Sequence, residues 1–155
     1  MENPEIDQLD RQILAKLVED GKTPYTDIAK QLFVSSGTIH VRMKKMEQMG
    51  IVRGSSLVLD YDKLGYNVTA FLGIHLDKSS LFEDVAVELK RIAEVVEANY
   101  ITGPYNILAK LICRNNNHLH EVLRDKIQQI TGIQRTETFI SLEETIGRRF
   151  EFLDV

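Results

Sequence analysis

The stretch Tyr25–Gly50, YTDIAKQLFVSSGTIHVRMKKMEQMG, has the spacing of two short helices joined by a tight turn. Apolar residues recur at helical intervals in both halves: Ile28, Ala29 and Leu32, then Ile39, Met43 and Met46. The outward face of the second half carries small polar groups first and basic groups next. That layout is typical of the recognition helix of a helix-turn-helix motif, which binds DNA.

Composition places this motif in an ordinary globular chain. With 155 residues, 43% hydrophobic and 27% charged, the sequence fits one large domain or two small ones. It has no apolar run of the roughly 20 residues that a membrane span needs, and its acidic start does not resemble a signal peptide. Cys113 is the only cysteine, which fits a reducing compartment. We therefore expect a cytoplasmic protein with no membrane association.

The formal net charge of −4 argues mildly against nucleic acid as a partner, because phosphate neutralisation supplies most non-specific DNA affinity. The local charge is different. Between His40 and Arg53 the chain has four basic residues against one acidic residue, Glu47. Such a cluster on its own is more often a solvated helix face than a DNA-binding surface. The charge alone therefore does not establish DNA binding.

The sequence predicts a first helix before the motif and two helices within it. The expected boundaries are Asp7 and Gly21 for the first helix, Thr23 and Pro24 at the start of the second, and Ser35 or Ser36 and Gly50 for the third. Residues Ile51–Asp60 read as a small two-stranded ribbon, or wing, with a plain linker strand as an equal alternative. The predicted DNA-binding domain therefore covers residues 1–60, with the motif at 25–44.

After a predicted hinge at residues 61–66, the pattern changes to strands and helices that alternate. The expected strands are Val68–Leu76, Val95–Thr102, Tyr105–Cys113 and Ile133–Leu142, with helices after the first and third. This βαββαβ order predicts a ferredoxin-like domain over residues 67–155, and an α+β protein overall.

The predicted sheet has more apolar residues than two helices on one face can cover. Both of its sides are rich in apolar groups, and the residues that add to the first strand's alternation are Phe71, Tyr100, Ile101, Leu108, Ile112, Phe139, Ile140 and Leu142. An exposed apolar face of this size would be a liability in a monomer. We therefore expect at least a dimer, with the tail from Gly147 as a further candidate for subunit contact.

No pattern in the chain indicates catalysis or a metal site. His118 and His120 point apart on a helix, and Cys113 continues a buried alternation. The sequence contains neither a phosphate-binding glycine-rich loop nor a Ser-His-Asp signature. We expect no enzyme activity, no metal and no cofactor.

Several fragments resemble the AsnC/Lrp family of bacterial and archaeal feast/famine transcription regulators. They are IDQLDRQIL, YTDIAKQL, SSGTIHVRMKKMEQMGIV, KLGYNV, ITGPYNILAK and KIQQITGIQRTET, and together they span nearly the whole chain. The resemblance implies a DNA-binding N-terminal domain. It also implies a C-terminal domain that forms dimers, assembles into tetramers or octamers, and binds an amino acid between dimers.

Matched residue by residue, the family's recognition segment corresponds to Ser36, Thr38, His40, Val41, Arg42, Lys44 and Lys45. The first two suit phosphates or base edges at a helix N-terminus, and His40 and Val41 suit base contacts. Lys44 and Lys45 suit phosphates. Arg42 lies near the edge of the buried stripe, which favours a structural or phosphate role over base readout.

The family's effector loop corresponds to residues 102–106, with Thr102, Gly103, Tyr105 and Asn106 as candidate ligand contacts and Tyr100, Gln128 and Thr138 as weaker ones. Many members have an aspartate where this chain has Asn106. An amide donates and accepts but carries no charge, which favours a polar amide effector, and asparagine is the candidate. Without the family, a plain turn is the stronger explanation of Gly103-Pro104.

A second departure lies at Phe33, where helix-turn-helix turns usually have glycine because the position favours positive φ. We expect Phe33→Gly to be neutral or to stabilise the protein by up to ~1 kcal/mol.

Two functions follow from these patterns. The favoured one is a DNA-binding transcriptional regulator that responds to an amino acid. The alternative is an oligomeric small-molecule-binding module whose helical domain mediates protein contacts.

Overall fold

The computed structural model describes residues 6–150 and divides the chain into two compact units. Of the described residues, one unit contains those from 6 to 58 and from 146 to 150, and the other is Leu59–Thr145. The sequence prediction placed the tail with the second domain, whereas here it groups with the first. Within that first unit, the Arg149 guanidinium donates a hydrogen bond to the Ser56 hydroxyl over 3.1 Å. The predicted tail residues Phe152 and Leu153 lie outside the described part of the chain.

The first unit is a three-helix domain with its own core. The helices are α1 (Gln8–Glu19), α2 (Tyr25–Gln31) and α3 (Ser36–Gln48). Their buried apolar residues form one cluster: Ile13, Leu14, Ile28, Ala29, Ile39, Met43 and Met46. The stripes predicted from helical spacing therefore meet in a single core, which fixes α3 against the other two helices.

Side-chain caps fix the N-terminal ends of α1 and α3. Asp7 caps α1 by accepting from the Asp10 N–H, and the Asp10 carboxylate reaches back to the Asp7 N–H. Ser35 caps α3 by accepting from the Thr38 N–H. The predicted Thr23 cap is wrong, because Pro24 takes the N-cap position of α2 and makes no side-chain cap.

The turn between α2 and α3 holds Phe33 at φ 57°, the one non-glycine residue with positive φ among residues 6–150. Two backbone hydrogen bonds fix it there: Phe33 N–H donates to the Lys30 carbonyl and Val34 N–H to the Ala29 carbonyl. This is the Schellman pattern that ends many helices, in which glycine usually takes the left-handed position. The side chain of Phe33 is 95% exposed.

The predicted ribbon at Ile51–Asp60 is wrong: within the described chain this segment forms no strand and takes part in no strand pairing. Leu57 and Val58 are 74% and 86% exposed. β-rich composition favours an extended backbone, but an isolated two-stranded ribbon is marginal in water. The predicted alternative was a plain linker strand, and the structure shows a linker to which no strand is assigned.

The second unit has the predicted ferredoxin-like order. It contains β1 (Val68–Leu76), α4 (Phe82–Lys90), β2 (Val95–Tyr100), β3 (Ile107–Cys113), α5 (Asn116–Glu121) and β4 (Ile133–Ile140). The four strands form an antiparallel sheet in the order β2-β3-β1-β4. After α5 the chain continues through a π-helix, Val122–Ile127, instead of the predicted regular helix.

Both helices cover the same face of this sheet. The alternating residues of β1, which are Ala70, Leu72, Ile74 and Leu76, face one core. That core also contains Val85 and Leu89 of α4. It is completed by Leu119, Val122 and Ile127 of the second helix, which consists of α5 and the π-helix that continues it. Cys113 belongs to this core and is fully buried, as predicted.

Strand register shows which of the apolar residues named from the sequence lie on the uncovered face. Residues directly opposite each other on paired strands share a face. Tyr100 pairs with Ile107 and Ile140 with Ala70, so both belong to the helix-covered side. Phe71 and Phe139 pair with each other on the uncovered side and are 38% and 48% exposed. The apolar residues named from the sequence are therefore divided between the two faces of the sheet.

Candidate nucleic-acid interface and effector loop

The outer surface of α3 carries most of the predicted DNA-binding residues. Ser36 and Thr38 lie in its first turn, and the Thr38 hydroxyl is 2.9 Å from that of Ser35. Val41 is 70% exposed, and Lys44 and Lys45 are exposed one turn further along. The structure therefore groups small polar, apolar and basic side chains along one helix, as expected.

His40 is exposed but not isolated. Its ring packs edge-on against Tyr25 at the start of α2, with 4.7 Å between ring centroids. This contact holds the imidazole on the side of α3 that adjoins the N-terminus of α2. Tyr25 was not predicted from the sequence as a neighbour of the recognition helix. Its position as the first residue of α2 could have indicated the contact.

Arg42 does not join this surface. Its guanidinium forms ion pairs with Asp7 and with Asp10, the latter over 3.0 Å, and Asp10 is completely buried. The hydrogen bond from Arg42 holds the pKa of the Asp7 carboxyl below its usual value, and the two carboxylates raise the pKa of Arg42. Arg42 thus clamps α3 to the capped start of α1, the structural role that its position near the buried stripe indicated.

In the predicted effector loop, Tyr105 packs back onto the uncovered face of the sheet. A Cβ on Gly73 would lie 2.6 Å from the Tyr105 ring, so glycine at this position gives the ring its place. The Tyr105 hydroxyl donates to Glu137 on β4 over 3.0 Å. Thr102 and Gly103 remain exposed, and Gly103 has φ 110°.

Glu137 is the centre of a polar cluster that the sequence did not reveal. Its carboxylate also contacts His75 Nε2 over 3.2 Å and Arg135 over 3.4 Å. Hydrogen bonds from Tyr105 and then His75 lower the pKa of Glu137. The Glu137 carboxylate in turn raises the pKa of Tyr105. The cluster joins the loop to β1 and β4.

Asn106 is also engaged with the sheet. Its side-chain oxygen accepts from the Leu76 N–H over 2.9 Å, and its amide donates to the Ser79 hydroxyl over 3.4 Å. Its own N–H donates to the carbonyl of Ile74. Asn106 therefore fixes the start of β3 to the end of β1, and a ligand there would meet a side chain that already has partners.

The weaker candidates are dispersed. Tyr100 packs against Phe82 of α4, with ring centroids 4.5 Å apart. Gln128 is exposed just after the π-helix, and Thr138 lies on β4 opposite Leu72. The structure thus brings Tyr105 and Asn106 to β1 and places the other three elsewhere in the unit.

A surface groove lies between α4 and the second helix, away from the loop. Its volume is about 490 Å³, and its lining comprises Asp84, Val87, Glu88, Lys126, Gln129, Ile130 and Thr131. None of the seven predicted effector residues is among them. The groove is open to solvent. Its lysine, Lys126, is already paired with Glu94 over 2.7 Å. The groove therefore does not replace the loop as the candidate site.

Glu94, His118 and Cys113 have structural surroundings in the second unit. Glu94 accepts from Lys126 and lies 3.2 Å from His118 Nε2, so His118 is a satisfied histidine. Burial raises the pKa of the Cys113 thiol. Over residues 6–150, no three His, Cys, Asp or Glu side chains converge in a way that would hold a metal ion. The helices in that range are also too short or too polar to cross a membrane.

A helix-turn-helix domain joined to a ligand-binding α+β domain defines a class of two-domain DNA-binding transcriptional regulators. Residues 6–47 match the AsnC-type helix-turn-helix domain, and residues 69–149 match the Lrp/AsnC ligand binding domain. The chain therefore belongs to the Lrp/AsnC family, which confirms the predicted family, fold class and function class.

Curated relatives and solved structures agree over nearly the full length. The chain is 48% identical to Regulatory protein AsnC of Haemophilus influenzae over 143 residues, 92% of this chain and 95% of that protein. It is 45% identical to Regulatory protein AsnC of Escherichia coli over 148 residues, 96% and 97% of the two chains. The solved structure of Escherichia coli AsnC superposes with a TM-score of 0.88 at 43% identity, covering 94% of this chain and 98% of that one.

A further solved structure shares the fold. It is a transcriptional regulator from Neisseria meningitidis in complex with L-methionine, with a TM-score of 0.87 at 22% identity, and it covers 93% of this chain and 94% of that one.

Proposed function

We propose that α3 binds the major groove of double-stranded DNA through Ser36, Thr38, His40, Val41, Lys44 and Lys45. The observation that supports this assignment is the division of α3 into two faces. Ile39, Met43 and Met46 are buried in the core, while the proposed contact residues lie on the surface. A helix fixed in this way by its inner face presents its outer face with little loss of entropy on binding. Arg42 supports the site by holding α3 to α1.

The proposed effector is an amino acid, and asparagine is the specific candidate. Two observations support this: the chain carries the Lrp/AsnC ligand binding domain, and a regulator of the same fold is known in complex with L-methionine. The loop residues Thr102 and Gly103 are exposed, and backbone N–H groups beside a glycine suit a carboxylate. Tyr105, Asn106, Tyr100, Gln128 and Thr138 complete the proposed set.

The proposed assembly is a homodimer that forms tetramers or octamers in the cytoplasm, with a regulatory and not an enzymatic role. Effector binding between dimers would act through assembly state or through the spacing of the recognition helices. A ligand shifts such an equilibrium only by its difference in affinity for the two arrangements. The hinge at 61–66 between domains 1–60 and 67–155 is part of this proposal.

Salt-dependent DNA binding tests the first part. The full chain should bind its own upstream region with an affinity that falls steeply with salt. Lys44→Ala should reduce the slope of log affinity against log salt by about 1. Lys90→Ala, an exposed lysine at the end of α4, serves as the matched control and should leave the slope unchanged. No binding at low salt would favour the alternative, a small-molecule-binding module whose helical domain contacts proteins.

A thermal-shift screen of the twenty amino acids tests the second part. A ligand at a hundred times its Kd should stabilise the protein by about 2.7 kcal/mol, a clear rise in Tm. We expect asparagine to give the largest rise. If no amino acid changes Tm, the effector assignment is wrong, whereas a single different hit would correct only its identity.

A further inference from the structure

Phe33 combines two unfavourable features that the fold itself does not explain. Its backbone is in the left-handed region at φ 57°, where residues other than glycine, asparagine and aspartate carry a conformational cost. Its aromatic side chain is 95% exposed, so the phenyl ring recovers almost nothing by burial. Strain of this kind tends to occur at functional positions. A glycine would make the same turn without either cost.

The position of Phe33 indicates what its ring would meet. It is two residues before Ser35, the N-cap of α3, and three before Ser36, the first residue of that helix. The first turn of α3 is the part proposed to approach the phosphate backbone. Any surface that receives the Ser36 and Thr38 hydroxyls must pass close to the turn that precedes them. On DNA, that surface is the sugar-phosphate strand at the edge of the major groove.

We infer that Phe33 makes an apolar contact with the deoxyribose groups of the DNA strand beside the major groove. The inference rests on the proposed placement of α3 on DNA. Deoxyribose offers C–H surface between the phosphates, and an aromatic ring already exposed in the free protein covers it without rearrangement. The left-handed backbone directs the ring away from the core, which explains why a residue that costs stability occupies the turn.

Removing this contact should have a distinctive effect, because DNA affinity should fall while the stability of the protein stays equal or rises. Replacing Phe33 with glycine removes the backbone strain and should leave Tm equal or higher. The same change removes the apolar contact and should weaken DNA binding by about five- to tenfold, the effect of burying about half of a phenylalanine side chain. A ring contact neutralises no phosphate, so the salt slope should not change.

The experiment compares Phe33→Gly and Phe33→Asn with the wild-type full chain, by fluorescence anisotropy on one duplex at several salt concentrations and by thermal unfolding. Asparagine tolerates the left-handed region, so both variants relieve strain and lose the ring. Phe33→Leu keeps an apolar side chain and should lose less affinity than either. Val18→Ala, on the exposed side of α1, is the control and should bind as the wild type does.

Three results would overturn the inference. DNA affinity within twofold of wild type for both glycine and asparagine variants would show that the ring does not touch DNA. If those variants then lost activity only in a transcription assay with polymerase, the ring would contact a protein instead. A fall in Tm for Phe33→Gly would show that the ring packs within this chain. If the wild type itself binds no DNA, the proposed function fails first, which the wild-type titration at low salt detects separately.

Discussion

On α3, Val41 is 70% exposed and the lysines of its outer face lie in solvent. In the loop between β2 and β3, by contrast, Tyr105 and Asn106 each hold partners on β1 or β4. The two candidate sites are therefore built differently. The helix is held by its buried face and exposes His40, Val41, Lys44 and Lys45 on its outer side, whereas the loop uses its own candidate residues to stay in place.

This difference decides how variants must be interpreted. A substitution on the outside of α3 should change binding and leave stability nearly unaltered, because surface positions away from special features have small effects. A substitution in the loop should change stability first, and any effect on effector binding must be separated from it. Substitutions in α3 and in the loop between β2 and β3 test this difference.

The largest effect is expected at the exception on α3. Arg42→Met removes the cation that faces the fully buried Asp10 and leaves that carboxylate without its charged partner. Because a buried charge that loses its partner is costly, we expect a loss of roughly 2–4 kcal/mol in the free energy of unfolding, measured by urea denaturation. Arg53→Met, at an exposed arginine, should cost little.

DNA affinity separates the two roles of Arg42. Measured at a temperature where the variant remains folded, affinity should fall far less than for a lost phosphate contact, with an unchanged salt slope. If the variant had wild-type stability and a reduced salt slope, Arg42 would instead be a phosphate contact on the DNA-binding surface.

Gly73→Ala should be next in size. The added methyl group would lie 2.6 Å from the Tyr105 ring, so the ring must leave its place and its hydrogen bond to Glu137. Overpacking of this kind costs about 1–3 kcal/mol. In the double variant Gly73→Ala/Tyr105→Ala the clash is absent, so the added cost of the methyl group should disappear. Equal costs in both backgrounds would show that the ring is not fixed by this contact.

A smaller effect concerns pH and the α1 cap. The Arg42 hydrogen bond lowers the pKa of Asp7 in the folded protein below its ordinary value of 3.8. A depressed carboxyl pKa stabilises the fold above the unfolded value, and that contribution is lost as pH falls through the folded pKa. In Asp7→Asn, the stability curve should therefore be flatter between neutral pH and pH values below 3.8. Parallel curves for the variant and the wild type would contradict the assignment.

The smallest effect on stability is expected for Asn106→Asp. A carboxylate still accepts the Leu76 N–H, and the Ser79 hydroxyl is able to donate to it, so the free energy of unfolding should change by less than about 1 kcal/mol. The negative charge should nevertheless alter the order of amino acids in the thermal-shift screen. An unchanged order would remove Asn106 from the proposed effector contacts.

Local patterns in the sequence predicted the helical unit well. The Asp7 and Ser35 caps, the left-handed Gly50 at φ 72° and the positive φ of Phe33 were all expected from residue type and position. These features depend on neighbours within a few residues. The Arg42 clamp was not foreseen in detail, because Asp7 and Asp10 are more than thirty positions away and periodicity gives no information on such pairs.

The sheet shows the same limit. Strand positions and the βαββαβ order followed from alternation, but the face of Tyr100 and Ile140 depended on register, which only the paired strands determine. The Glu137 cluster and the partners of Asn106 join strands far apart in sequence, and they were missed for that reason. The ribbon at 51–60 failed because strand propensity says nothing about what is available to pair.

The second helix of the sheet unit contains a π-helical turn at Val122–Ile127. Its buried residues Val122 and Ile127 are five positions apart, about 1.4 turns of an α-helix, which would point one of them away from the core. The chain instead closes a wider turn, in which the Gln128 N–H donates to the Leu123 carbonyl five residues back. A wide turn of this kind accommodates one extra residue without moving either flank. Deleting Arg124 should therefore let this segment close as a regular α-helix and bring its two buried residues within about one turn of each other.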